Sequence, residues 1–179
     1  MSIVRVTLLV FLLGTIPLAQ GAKPSMGPVI KDFGPTYPID DRDAPLREDF
    51  VYRAVFDIAA QNAKPGSVNQ KLASVARYLN MHARNGIALE NMELAVVIHG
   101  KAMRSALSNE AHKKRYQTAN PSRELVRQLR DAGVQFYICG QSMRFARFER
   151  SELAPQMQVA LSAMTMLTQL QADGYALLP

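Results

Sequence analysis

The sequence predicts a three-layer α/β/α sandwich around a mostly parallel sheet of about five strands. Three observations lead there. Runs rich in β-branched and aromatic residues alternate with segments of helical periodicity from residue 50 onward. One run, ELAVVIHG at 93–100, is apolar almost without interruption, which suits a central parallel strand buried on both faces. Glycines at 86, 133 and 174 close the helical segments. A chain of 179 residues suffices for one domain with a substantial core. Nine Met and no Trp make that core aliphatic and soft.

The fold is expected to begin only after two N-terminal segments. Arg5 forms a short basic region, VTLLVFLLGTIPLA at 6–19 is apolar, and AQG offers small residues for cleavage. This pattern reads as a secretory signal peptide over 1–21, cut after Gly21. The alternative is an uncleaved anchor, against which stands an apolar run shorter than the ~20 residues of a membrane span. Residues 22–48 hold Pro24, Pro28, Pro35, Pro38 and Pro45, with Gly27 and Gly34 between them. They cannot be a helix and lack a strand pattern. The expectation is an extended arm, lying on the domain of 49–179 or on a neighbouring subunit.

The domain elements follow in order. FVYRAVFDIA at 50–59 is the first strand, and KPGS a turn. Ser67 and Gln70 have capping-box spacing, and Val68, Leu72, Val75 and Leu79 share one helical face that ends at Asn85–Gly86. ELAVVIHG is the second strand. The more polar 101–119 includes short helix. Asn120–Pro121 reads as an N-cap and first helical residue, with Leu125, Val126 and Leu129 as the apolar face. VQFYIC at 134–139 is the third strand, followed by a short helix near 141–147. MQVALS is a fourth strand, 163–172 the last helix and YALL the fifth strand.

Charge and motifs exclude several classes of function. Removing Arg5 from the 21 basic side chains leaves 20 against 15 acidic ones, net +5. The one basic cluster, HKKRY at 112–116, reads as a solvated helix face. An exported protein seldom meets nucleic acid, so no such partner is expected, nor any stable membrane span. There is no CxxC, no Gly-rich phosphate loop and no HExxH, and no cofactor is expected. Met143, Met157, Met164 and Met166 with Cys139 and a histidine would suit Cu(I), but methionine more readily fills core gaps, so no metal is expected.

Cys139 is the only cysteine. In an exported chain it is either a reactive or intermolecular thiol, or an inert buried one. Its position favours the first. Sites in open α/β sheets gather beyond the carboxyl ends of strands. Cys139 ends a strand, Gly140 lets the backbone turn, and Gln141 or Ser142 begins a helix whose N–H groups favour thiolate. His99 and Lys101 end the second strand. If the two strands are neighbours, these cations approach the thiol; otherwise His99 bonds a loop and Lys101 is solvated. His82 and His112 are expected at the surface. A Cys–His–Asn triad through Asn120 has no support in the spacing.

ELAVVIHGKAM, NPSRELVRQLRDAGVQFYICGQSM and VALSAMTMLTQLQADGYALLP, within residues 50–179, resemble the DsrE/DsrF-like family, most closely its exported branch of small single-domain proteins. The resemblance implies the same three-layer fold and a homotrimer or homohexamer. It also implies a cysteine that carries persulfide sulfur between a donor and an acceptor protein, a role that falls on Cys139 alone. The best-understood members are cytoplasmic, whereas this chain reads as exported, periplasmic in a Gram-negative source. Two functions stay open: a sulfur carrier, or a non-catalytic oligomeric binding or structural protein with an inert Cys139.

Overall fold

Leu94, Ala95, Val96, Val97 and Ile98 are all buried, so this strand is covered on both faces and lies inside the sheet. The computed structural model describes residues 23–60 and 66–178. The signal peptide expected at 1–21, and Lys64 and Pro65 of the expected KPGS turn, lie outside the described residues. In order, the elements are β1 (Tyr52–Ile58), α1 (Gln70–Arg84), β2 (Met92–Ile98), a 3-10 segment (Gly100–Ala106), α2 (Asn109–Tyr116), α3 (Arg123–Asp131), β3 (Gln135–Cys139), α4 (Gly140–Phe145), β4 (Gln158–Ala160), α5 (Ala163–Ala172) and β5 (Ala176–Leu178). The strands form one five-stranded sheet in the order β4-β3-β2-β1-β5, every pair parallel.

The two faces are unequal. Leu72, Val75 and Leu79 of α1 and Leu125 and Leu129 of α3 pack on one face against Phe56, Ile58, Val96, Ile98 and Ile138. Each such side chain contributes about 1.5–3 kcal/mol by leaving water. Among the described residues, α5 is the helix that covers the other face. There Val55, Ala95, Val97 and Cys139 meet Ala163 and Leu170. Leu161 and Met164, at the start of this helix, remain 71% and 78% exposed.

The helix starts differ from expectation. α1 is capped by Asn69, two residues after Ser67; its Oδ1 accepts from the Lys71 and Leu72 amides. α3 begins at Arg123, after a turn over Pro121 and Ser122. Asn120 instead accepts from the Ser122 amide and donates to the carbonyls of Ser105 and Leu107. Two histidines expected at the surface are buried. His82 stacks on Tyr78 with ring centroids 4.0 Å apart, and His112 Nδ1 lies 2.7 Å from the Thr118 carbonyl. Aromatic neighbours and carbonyl partners make their burial tolerable.

The proline-rich arm lies on its own domain. Ser25 and Thr36 pair as an antiparallel bridge, closing a loop over α1. Asn80 of α1 fills that loop. It accepts from the Val29 and Ile30 amides and donates to the carbonyls of Ile30, Phe33 and Gly34. Gly34 has a φ of 68°, and a Cβ there would meet the Arg77 amide nitrogen at 2.3 Å. Only glycine lets the arm press this close to the helix. Arg84 adds hydrogen bonds to the Ser25 hydroxyl and to the carbonyls of Met26 and Gly27. The arm is thus anchored on α1 of its own chain.

Candidate functional site

β3 delivers Cys139 to the carboxyl edge of the sheet, where it also serves as the N-cap of α4. The residue is buried, with 4% of its surface exposed. The Ser142 amide donates to its Sγ at 3.4 Å. Burial pushes the thiol pKa up. The Ser142 hydroxyl and the amides of Ser142, Ala163 and Gln141 outweigh it and hold the pKa below the ordinary thiol value. The donors come from both helices beside the strand end, since Ala163 is the first residue of α5. Together these donors favour the thiolate over the thiol.

Each supporting residue has a definite place. Gly140 is the first residue of α4, and a Cβ there would stand 2.7 Å from the Ala160 carbonyl oxygen and 3.3 Å from that of Leu161. Its bareness admits the end of β4, rather than a ligand. The Gln141 side-chain amide donates to the Leu161 carbonyl at 3.3 Å, fixing the same junction. The Ser142 hydroxyl accepts from the Gly100 amide at 3.1 Å, joining the loop after β2 to the loop after β3. That bond brings the two strand ends together.

His99 and Lys101 do not supply the charge that lowers the thiol pKa; the hydrogen-bond donors do. His99 Nε2 lies 2.7 Å from Asp57 Oδ1 on β1. Lys101 is exposed and lines a groove with Met103, Arg104, Ser142 and Phe145. Asn120 is occupied with Ser105, Leu107 and Ser122, so no triad runs through it. The methionines do not converge. Met143 and Met157 lie in the larger core, Met166 packs on the α5 side, and Met164 is exposed.

Two site residues escape a reading of the sequence. Ala163 acts through its backbone, which no side chain advertises. Asp57 did carry a signal: a carboxylate between the buried Phe56 and Ile58 near the end of a strand, at the sheet edge where sites gather.

Comparison with known proteins agrees with this architecture. The sequence profile described as the DsrE/DsrF-like family matches residues 54–179. A solved protein of unknown function from Methanobacterium thermoautotrophicum is similar, with 19% identity and a TM-score of 0.53. The match covers 71% of this chain and 97% of that one. At such identity the likeness speaks for the fold alone. None of the curated proteins matches the chain.

Proposed function

This chain belongs to the DsrE/DsrF-like family, and from that premise we propose that it is a sulfur carrier in which Cys139 accepts sulfane sulfur as a persulfide. The observation that carries the reading is the set of donors around Sγ: the amides of Gln141, Ser142 and Ala163 and the Ser142 hydroxyl. They favour the thiolate, which is the nucleophile. The lone thiol fits the same role. A second cysteine in the chain would attack the persulfide and release its outer sulfur as sulfide. The carrier works as an exported homotrimer or homohexamer, periplasmic if the source is a Gram-negative bacterium, handing sulfur between a donor and an acceptor protein. Exposed Phe145, Leu161 and Met164 near the site give such contacts apolar surface. Among the described residues no helix is long and apolar enough to cross a membrane.

The 4% exposure of Cys139 favours a second reading, a binding or structural protein with an inert thiol. One experiment separates the two. The native protein is incubated with cysteine persulfide and its intact mass recorded without reductant. Gain of one sulfur atom, absent in a folded Cys139→Ser protein, is the expected result. A wild-type mass that does not change removes the carrier reading.

A further inference from the structure

The sheet register places three chemically active side chains on one face at one edge. Asp57 pairs with Val97, and Val97 with Tyr137, so these residues form a row across β1, β2 and β3. Two positions beyond Val97 and Tyr137, on the same face, stand His99 and Cys139. The ladder continues to His99, whose amide donates to the Ile58 carbonyl at 3.0 Å. The Gly100 amide then ties this loop to Ser142, three residues after Cys139. Adjacent strands run about 4.8 Å apart, so the register places the His99 position between the strands that carry Asp57 and Cys139.

We propose that His99 and Asp57 are the proton-exchange pair of the Cys139 thiol. The proposal rests on the carrier reading and supplies what that reading lacks. A thiol that is 4% exposed has little contact with bulk water. The His99 and Asp57 side chains are 28% and 34% exposed, and so connect it to solvent. A carboxylate can only accept, so the 2.7 Å contact with Asp57 Oδ1 places a hydrogen on His99 Nε2. That leaves the Nδ1 lone pair as the base. Asp57 is the positioning residue, holding this tautomer and stabilising the imidazolium.

The chemistry balances. His99 Nδ1 takes the proton of Cys139, leaving thiolate and imidazolium. The thiolate attacks the outer sulfur of a persulfide R–S–SH. The bond from Cys139 Sγ to that sulfur forms, the R–S bond to it breaks, and the electron pair leaves with R–S⁻. The imidazolium returns its proton to R–S⁻, giving R–SH and neutral His99. Cys139 is left as the persulfide. No external oxidant or reductant enters.

Among the described residues, the titratable groups placed at this end of the face are Asp57 on β1, Cys139 and Tyr137 on β3, and Lys101 in the loop after His99. Tyr137 is turned toward Gln135, its hydroxyl donating to Oε1 at 2.6 Å. α5, which covers this face, carries no charged residue between Ala163 and Ala172.

The test is the initial rate of sulfur uptake from cysteine persulfide against pH, followed by intact mass. The expected profile of the wild type has an inflection that vanishes in His99→Ala, with a rate loss of about 100-fold, as general acid–base catalysis contributes. In Asp57→Asn the rate falls about tenfold, because the tautomer that leaves Nδ1 free is no longer held, and Asp57→Glu restores most of it. Final loading stays at one sulfur in each. Variants that match the wild-type rate and profile overturn the pair and leave the carrier standing. A wild type that takes no sulfur overturns both.

Discussion

Ser142 touches Cys139 twice: its amide donates to Sγ at 3.4 Å, and its hydroxyl also stabilises the sulfur anion. The same hydroxyl oxygen accepts from the Gly100 amide. A hydroxyl polarised in this way is a better donor to sulfur. Ser142 therefore transmits the position of the β2 loop to the thiol.

Ser142→Ala keeps the backbone amide and removes the hydroxyl. The thiol pKa is expected to rise, because one of its stabilising donors is gone while burial still opposes the charge. Alkylation of native protein by iodoacetamide at neutral pH should slow by roughly tenfold, about what one hydrogen bond to an anion contributes. The far-ultraviolet circular dichroism spectrum should not change. An unaltered alkylation rate would remove the hydroxyl from the site.

The arm gives a second prediction. Asn80→Ala withdraws the partner of the Val29 and Ile30 amides and of three carbonyls at once. Water can reach some of these groups, so the expected loss is about 3 kcal/mol rather than the sum of all five. Urea unfolding measures it. Limited proteolysis should cut the variant between residues 25 and 36 well before the wild type. Equal stability and equal cleavage would show that the arm holds without its anchor.

How much of this was legible in the sequence depends on whether a residue's partner was local. The apolar run Leu94–Ile98 announced a central strand because burial on both faces leaves no room for polar residues. The helical spacing of Leu72, Val75 and Leu79 announced the buried face of α1. The place of Cys139, at a strand end and before a helix start, was readable for the same reason. Asn80 was not readable. A polar residue in a helix looks solvated until the chain 50 residues earlier folds over it. The pairing of His99 with Asp57 spans 42 residues and follows from strand order and register, which periodicity alone does not fix. The Asn69 cap lost to Ser67 at the level of pattern because both types cap helices.

The last prediction concerns stability against pH. Folded Cys139 ionises at lower pH than an ordinary thiol, whereas the unfolded chain returns it to about 8.5. Between those two values the unfolded state binds more protons than the folded one. Stability from this group therefore rises with pH through that window. It is fully present above the unfolded pKa and lost as pH falls through the folded one. The wild type should gain stability relative to Cys139→Ser between about pH 7 and about pH 9.5, the range that brackets the unfolded thiol. Urea unfolding of both proteins at the two pH values isolates the effect, since every other titrating group is shared. The difference should vanish when Cys139 is blocked by alkylation in the unfolded state before refolding, because no thiolate can then form. A gain of the opposite sign would mean that burial outweighs the hydrogen bonds and that Cys139 is an inert thiol.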